Sequence, residues 1–332
     1  MESRRLGKSE VVLPPIVYGA WAIGGWWWGG TDDPNAITAM KTALEGGRMA
    51  IDTAPIYGFG HSESLVGEAL ESHRDSVLLL TKCGLSWTRE DGPVAFPTQT
   101  PSGKKVLVRN DLRPASIRQE CEDSLKRLRT DVIDLYQCHW PDPETPIEDT
   151  MGALARLREE GKIRAIGVSN FDTDLLEKAR CALGDVPLAS TQPRYSLLAR
   201  QIEKSVLPWC RTHEVGVLAY RPIEQGLLAG AVPPDRQFPP GDMRPTQKIF
   251  SPESRQSILD ILDSLRDLSD KHDATLAQLA LAWVISQPGL TAAIAGARSA
   301  EQALENQAAA SLSLSQEELD RIGLAFDPIC KR

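Results

Sequence analysis

Short apolar runs alternate with segments of helical periodicity along most of this chain. The runs are four to eight residues long, the usual length of a buried strand, and lie at 15–20, 49–52, 76–82, 132–139, 163–169, 188–192, 215–220 and 290–296. Between them, apolar residues recur every three or four positions, as at Ile117, Cys121, Leu125 and Leu128. Such stripes begin near residues 33, 62, 114, 147, 174, 202, 258, 274, 299 and 315. The pattern therefore predicts eight strands separated by helices.

This alternation is the signature of parallel βαβ units. Eight units without a two-domain break predict one α/β domain over residues 1–332, a closed (β/α)8 TIM barrel. Residues 3–13 are predicted to form an N-terminal β-hairpin, and long loops at about 84–113 and 221–252 follow strands 3 and 7. An open doubly wound sheet is the competing architecture. It would need a Gly-x-Gly-x-x-Gly turn after the first strand, and the sequence has none.

Composition narrows the class of protein without identifying it. Hydrophobic residues make up 42% and charged residues 25% of the chain, and the formal net charge is −8. No block of basic residues indicates a nucleic-acid surface, and no apolar stretch is long enough for a signal peptide or a membrane span. The 6 cysteines include no Cys-x-x-Cys pair, so neither a disulfide framework nor a metal site is expected. We expect a cytoplasmic protein with no nucleic-acid or membrane partner.

Four residues that could carry chemistry lie at or just beyond the ends of three predicted strands. They are Asp52, Tyr57, Lys82 and His139. Because the carboxyl ends of barrel strands meet on one face, these side chains are expected to converge there. Each also has an ordinary structural explanation: a loop-capping acid, a lysine that reaches solvent, or a satisfied core histidine. Their joint placement at strand ends makes that explanation less convincing.

The same residues belong to longer motifs. Asp52-Thr-Ala precedes Tyr57-Gly, and Lys82 is followed by Asp134-Leu-Tyr-Gln-Cys-His139 and by Gly161-Lys-Ile-Arg-Ala-Ile-Gly-Val-Ser-Asn170. These motifs resemble the aldo-keto reductase superfamily almost from end to end. The segments that begin at Trp21 and Phe238 resemble most its bacterial stress-related and inositol-operon branch.

The resemblance implies a barrel enzyme that reduces aldehydes or ketones, including small oxo-aldehydes and sugars, with NAD(P)H. Two alternatives stay open at this point. One is an NAD(P)+-dependent sugar or polyol dehydrogenase. The other is a nucleotide-binding regulatory subunit similar to potassium-channel β subunits. The oligomeric state is left open.

Carbonyl reduction needs a hydride on carbon and a proton on oxygen, and the cofactor supplies the hydride. Tyr57 is the candidate general acid. A free phenol titrates near ~10, so we expect the Lys82 ammonium to lower the pKa of Tyr57 and Asp52 to keep Lys82 charged. His139 is expected to hydrogen-bond the substrate oxygen.

The resemblance also implies a set of cofactor-binding residues. They are Trp21, Ser169, Asn170, Gln192, Tyr220, Arg221, Pro222, Gly226, Leu227, Gly296, Arg298, Ser299, Gln302, Glu305 and Asn306. In the family, the positions of Ser169, Asn170 and Gln192 hold the nicotinamide amide, and that of Tyr220 stacks on the ring. Asn170 is also expected to cap the following helix.

Three positions depart from the family pattern at the phosphates. Arg221 replaces a common serine, Ala231 a common lysine, and Gln302 an arginine that several animal members use for the 2′-phosphate. We nevertheless expect the cofactor to be NADP rather than NAD, and we expect Arg298 and Ser299 to bind its 2′-phosphate.

Tryptophans crowd the loops on the same face. Trp26, Trp27, Trp87 and Trp140 are predicted to line the substrate pocket, although loop packing alone would explain many of them. Indole rings suit the apolar faces of sugars as well as aromatic carbonyls, so they do not select a substrate class.

Overall fold

A computed structural model describes residues 3–45, 47 and 49–330. Eight parallel strands form a closed barrel in which each strand pairs with the next along the chain and the last returns to the first. The barrel strands are β3 (Ile16–Gly19), β4 (Met49–Asp52), β5 (Val77–Cys83), β9 (Ile133–Cys138), β10 (Ile163–Ser169), β11 (Leu188–Gln192), β12 (Gly216–Tyr220) and β13 (Ala292–Gly296). The predicted (β/α)8 barrel is therefore confirmed.

Helices follow the barrel strands on the outside. They are α1 (Asp33–Glu45), α2 (His61–Leu70), α3 (Pro114–Leu128), α4 (Ile147–Glu159), α5 (Thr173–Leu183), α6 (Val206–His213), α7 (Pro252–Asp263), α8 (Arg266–Lys271), α9 (Leu276–Ser286), α10 (Ala300–Ala308) and α11 (Gln316–Phe326). The stripe predicted from residue 202 is broken at Ser205. A short 3-10 helix precedes this residue and α6 follows it.

Two apolar cores result from the alternation of side chains along the strands. The larger core fills the space between the strands and the surrounding helices. The smaller one fills the barrel interior, and Leu6, Val11 and Leu13 of the N-terminal hairpin contribute to it. That hairpin, β1 (Arg4–Arg5) and β2 (Val12–Leu13), was predicted and is antiparallel. It packs where the strands begin, which leaves their carboxyl ends for the site.

The long loop after β5 differs from expectation. We predicted an irregular polar segment over 84–113, but it contains a three-stranded antiparallel sheet in the order β6 (Leu85–Ser86), β8 (Lys105–Asn110), β7 (Val94–Gln99). The sheet is exposed over much of its surface, so its strands lack the continuous apolar runs of the barrel strands. It extends the wall of the barrel mouth.

Within the part of the chain that the structure describes, no helix is long and apolar enough to cross a bilayer.

Candidate active site

One large cavity opens at the carboxyl ends of the barrel strands. Its volume is about 1090 Å³. Most of the predicted site residues line it. Of the predicted catalytic residues these are Asp52, Tyr57 and His139, and of the predicted cofactor residues Trp21, Ser169, Asn170, Gln192, Tyr220, Arg221, Pro222, Gly226, Gly296, Arg298, Gln302, Glu305 and Asn306. Residues more than 250 positions apart in the sequence thus meet in one place because the barrel closes.

A buried ion pair lies at the base of this cavity. The Lys82 Nζ is 2.5 Å from the Asp52 Oδ1 and also donates to the Thr53 carbonyl at 2.9 Å. Burial alone would lower the pKa of Lys82. The Asp52 carboxylate, with a smaller contribution from Tyr57, outweighs burial and raises that pKa above its ordinary value. The lysine is therefore charged and has a fixed direction.

Two amides hold the other oxygen of the same carboxylate. The Gln192 Nε2 donates to the Asp52 Oδ2 at 2.8 Å, and the Gln137 Nε2 donates to it at 3.3 Å. Gln137 is buried on β9 and was not among the predicted residues. A glutamine inside an apolar strand is the one signal that could have identified it, since a buried amide needs partners.

The Tyr57 hydroxyl is 3.3 Å from the Lys82 Nζ. The loop that presents the ring turns tightly. Gly58 has φ +70°, and a Cβ there would lie 2.4 Å from the Gly24 carbonyl oxygen. The close approach of two backbones therefore sets the position of the phenol beside the lysine.

The pKa of Tyr57 corrects one expectation. Burial raises it above the ordinary value of 10.0, and the opposing effect of the Lys82 charge is the smaller one. Lys82 acts in the predicted direction, but it does not bring the pKa of the phenol below that of a free tyrosine. Tyr57 therefore keeps its proton at neutral pH.

His139 faces the phenol across the cavity. The two rings have centroids 5.7 Å apart and stand nearly perpendicular, at 82°. Burial, and secondarily the charge of Lys82, hold the pKa of His139 well below 6.5. A neutral imidazole next to a protonated phenol can donate a second hydrogen bond to one substrate oxygen.

Hydrogen bonds continue from this centre to the side of the cavity. The Ser169 hydroxyl donates to the Gln192 carbonyl at 2.7 Å, and the Asn170 Nδ2 donates to the His139 carbonyl at 3.1 Å. The Tyr220 hydroxyl donates to the Asn170 Oδ1 at 3.0 Å. The expectation that Asn170 caps α5 is wrong, because Asp172 accepts the cap hydrogen bond from Leu175.

The segment after β12 has an unusual backbone. Arg221, Glu224, Gln225 and Gly226 all have positive φ, a cluster that is costly for non-glycine residues and typical of functional sites. Buried Glu224 anchors the segment: it accepts a two-pronged hydrogen bond from Arg194 at 2.6 and 2.9 Å. No local sequence pattern indicates this pair, and it was not predicted.

The turn from β13 into α10 forms the far end of the cavity. The Ser299 hydroxyl is the N-cap of α10 and accepts from the Gln302 backbone N–H. The Gln302 Oε1 accepts from the Arg298 backbone N–H at 2.8 Å, and the Asn306 Nδ2 donates to the Gly296 carbonyl at 3.1 Å. Glu305 accepts from Thr275 at 2.5 Å. These side chains stabilise the turn.

Residues of the 221–252 loop cross over to the tryptophan-rich loop. Trp28 and Asp242 form an isolated antiparallel bridge, and the Met243 N–H donates to the Trp27 carbonyl at 3.0 Å. The Arg244 guanidinium lies 5.1 Å from the centroid of the Trp28 ring. Both loops line the cavity, one through Trp27 and Trp28 and the other through Arg244.

Aromatic side chains form the wall on the Tyr57 side. Trp26 and Trp27 stack with ring centroids 3.8 Å apart, and Phe96 of β7 packs against both. Trp140 also lines the cavity and is 44% exposed. Trp87 does not line it: its ring packs against Phe59 at 5.3 Å, behind the wall.

Three other predicted residues do not line this cavity. Lys82 is wholly buried beneath it, and Leu227 is buried in the core. Ser299 faces a smaller adjacent cavity of about 300 Å³.

The cavity suits a dinucleotide. Arg221, Arg244 and Arg298 supply positive charge along its length. Three buried N–H donors, on Trp21, Trp28 and Gln225, have no hydrogen-bond partner in the described structure. Unpaired donors near several guanidinium groups match a pyrophosphate, which offers only acceptors and negative charge. The residues present therefore fit a nicotinamide dinucleotide.

The model of the "Aldo/keto reductase family" matches residues 15–324, a span that contains every barrel strand and the whole cavity. The chain belongs to the aldo/keto reductase family. It is 38% identical over 321 residues to the NADH-specific methylglyoxal reductase of Escherichia coli (strain K12), with 95% of each chain covered. It is also 38% identical over 301 residues to the aldo-keto reductase YhdN of Bacillus subtilis (strain 168), with 90% of this chain and 85% of that one covered.

Solved structures agree with these sequence comparisons. The glycerol dehydrogenase AKR11B4 from Gluconobacter oxydans superposes with a TM-score of 0.86 at 38% identity, covering 98% of this chain and 95% of the other. This aldo/keto reductase is therefore an oxidoreductase of oxo groups, with a nicotinamide cofactor and small carbonyl substrates. The comparisons do not confirm NADP, because one relative is NADH-specific.

Proposed function

We propose that this aldo/keto reductase reduces aldehydes or ketones to alcohols with NADPH, and that Tyr57 is the proton donor. The observation that carries the proposal is the position of the Lys82 Nζ, in contact with both the Asp52 carboxylate and the Tyr57 hydroxyl. We further propose that residues 1–332 act as one domain.

Each side chain has a distinct part in the proposed reaction. When bound, a nicotinamide cofactor would provide the hydride that the carbonyl carbon needs. Tyr57 gives its hydroxyl proton to the carbonyl oxygen, and the charge of Lys82 stabilises the phenolate left behind. Asp52 keeps Lys82 protonated, and the neutral His139 donates a hydrogen bond that orients the oxygen.

For the cofactor, we propose that Ser169, Asn170 and Gln192 meet the nicotinamide amide and that Tyr220 stacks on its ring. The strained segment after β12 and the first turn of α10 would hold the phosphates. Gln192 retains its Oε1 for such a contact, because only its Nε2 is engaged with Asp52 and Gln137.

Burial raises the pKa of Tyr57, so at neutral pH the phenol holds the proton that carbonyl reduction needs. A purely regulatory role is disfavoured by the complete and connected set of Asp52, Tyr57, Lys82 and His139.

Turnover with a panel of carbonyl compounds, each with NADPH and with NADH, tests the proposal. We expect oxidation of the reduced cofactor with aldehydes and more slowly with ketones. Cofactor binding without turnover of any member of the panel would instead support the regulatory alternative.

We expect the protein to bind NADPH more tightly than NADH, and Arg298→Ala to remove most of that difference. Only NADPH carries a 2′-phosphate. Among the described residues no carboxylate lies within ion-pair distance of the exposed Arg298, and its guanidinium donates to the carbonyls of Gly30 and Trp28 at 3.2 and 3.5 Å. A charged hydrogen bond of about 1.5–3 kcal/mol corresponds to roughly 10- to 150-fold discrimination. Dissociation constants of both cofactors measure it.

Arg236→Ala is the matched control, because Arg236 also lines the cavity but donates to the Ala231 carbonyl. It should affect the two cofactors equally. A wild type that prefers NADH, or an equal loss of both cofactors in Arg298→Ala, would contradict NADPH preference.

A further inference from the structure

One polar side chain interrupts the aromatic wall on the Tyr57 side of the cavity. Asn110 lines the cavity at the end of β8, among Leu85, Val94 and Phe96. Its Oδ1 is buried without a hydrogen-bond partner. Its Nδ2 makes no hydrogen bond to any residue that the structure describes and is open to solvent. A buried amide oxygen without a partner is rare next to apolar groups, and a bound ligand can supply that partner.

The backbone fixes this amide relative to the catalytic residues. Asn110 lies opposite Leu85 in the pairing of β6 with β8. Its N–H donates to the Pro93 carbonyl at 3.0 Å, and its own carbonyl accepts from the Arg89 Nη1 at 2.7 Å. The next N–H, of Asp111, donates to the Gly84 carbonyl, two residues after Lys82. Hydrogen bonds on both sides therefore hold the main chain at Asn110 in place beside the strand that carries Lys82.

We propose that Asn110 recognises a second oxygen on the substrate, so that the preferred substrates are hydroxy- or oxo-carbonyl compounds. This inference rests on the proposed function and narrows its substrate class. A hydroxyl can donate to the amide oxygen, and a second carbonyl can accept from the amide nitrogen. The rest of this wall, including the stacked Trp26 and Trp27, offers apolar surface to the carbon skeleton.

The test compares four aldehydes that share a three-carbon chain and differ in the hydroxyl or oxo groups they carry: propanal, lactaldehyde, glyceraldehyde and methylglyoxal. The variants are Asn110→Leu, which removes both polar ends, and Asn110→Asp, which retains acceptors only. In Asn110→Leu, kcat/KM for the three oxygenated aldehydes should fall roughly tenfold, the size expected for one neutral hydrogen bond. Propanal should stay within about threefold. Two further pairs extend the series to larger aldehydes with and without hydroxyl groups. They are erythrose with butanal, and 4-hydroxybenzaldehyde with benzaldehyde.

The Asn110→Asp variant distinguishes the role of the amide oxygen, which accepts hydrogen bonds, from that of the amide nitrogen, which donates them. Hydroxy-aldehydes should keep most of their wild-type kcat/KM because a carboxylate accepts a hydrogen bond from their hydroxyl group, whereas kcat/KM for methylglyoxal should fall as in Asn110→Leu. Leu107→Ala is the control for disturbance of the strand, since Leu107 is 45% exposed on β8 and does not line the cavity. It should leave the ratios between aldehydes unchanged.

The outcomes distinguish this inference from the proposed function. If Asn110→Leu lowers kcat/KM by the same factor for both members of every pair, or changes it for none, Asn110 does not select substrates. Its side chain then only binds water or packs against its neighbours. If wild type reduces no aldehyde in the series, the proposed function itself fails.

Discussion

Replacing Tyr57 with phenylalanine is expected to lower kcat for carbonyl reduction by roughly 10²- to 10⁴-fold, which is the usual rate enhancement from a positioned proton donor. The variant loses only the hydroxyl, which lies 3.3 Å from the Lys82 Nζ. The ring remains to fill its place in the cavity wall. Cofactor dissociation constants should therefore stay within about twofold of wild type. Steady-state kinetics with a reactive aldehyde, together with cofactor titration, measure both quantities.

Tyr195→Phe is the matched control. Tyr195 is also a buried tyrosine with one hydrogen bond, donated to Glu203 at 2.7 Å, but it packs on Trp283 away from the cavity. Its loss should cost about 0.5–1.5 kcal/mol of stability and leave turnover intact. Turnover within a few-fold of wild type in Tyr57→Phe would remove Tyr57 from the role of proton donor.

Replacing Lys82 with methionine is expected to slow reduction by roughly 10²-fold or more, because a charge directed at the developing phenolate is removed. The same change should raise the pKa of Tyr57 further, since Lys82 is the largest influence that lowers it. Reduction needs the protonated phenol, so its decline at high pH should move to still higher pH. pH–rate profiles of carbonyl reduction by wild type and Lys82→Met measure this shift.

Lys82→Met also leaves the buried Asp52 carboxylate without its cation, which costs about 3–5 kcal/mol when a buried pair is broken. Arg127→Met controls for that loss. It removes the ion pair between the Arg127 Nε and the Oε2 of the buried Glu63, which are 2.7 Å apart. Arg127 does not line the cavity. The control should lower thermal stability without moving the pH profile. Profiles of wild type and Lys82→Met that differ only in scale would mean that Lys82 has a structural role alone.

His139 should contribute no inflection to these profiles near its ordinary value of 6.5, because burial and Lys82 hold its pKa well below that value. The pH dependence at neutral and high pH therefore reports on Tyr57.

The barrel could be predicted from sequence because its physics is local and repeated. A strand buried on both faces must be apolar along its length, and a helix packed on it must carry an apolar stripe. Predicted strands at 49–52, 163–169 and 188–192 therefore coincide with β4, β10 and β11. The convergence of Asp52, Tyr57 and His139 followed from the same argument, since parallel strands end on one side.

The exposed antiparallel sheet could not be predicted in the same way. Its strands pair with one another across the surface, and half-exposed strands leave only a weak alternation of apolar and polar residues. This sheet places Asn110 and Phe96 in the cavity wall. The shape of the substrate side was thus decided by tertiary pairing.

The net pKa of Tyr57 was likewise decided by the tertiary structure. The sequence identified the residues that act on the phenol and the sign of the Lys82 effect. Desolvation depends on every atom packed around a group, and here it exceeds the effect of the cation.

The sequence by itself thus determined the barrel and the chemical groups at its mouth, because both follow from local periodicity and strand direction. Only the tertiary structure decided how those groups are held. Gln137 on Asp52 and Arg194 on Glu224 are contacts between side chains far apart in the chain. Such contacts leave no local pattern because they arise from the side-by-side packing of barrel strands, which brings distant residues within hydrogen-bonding distance.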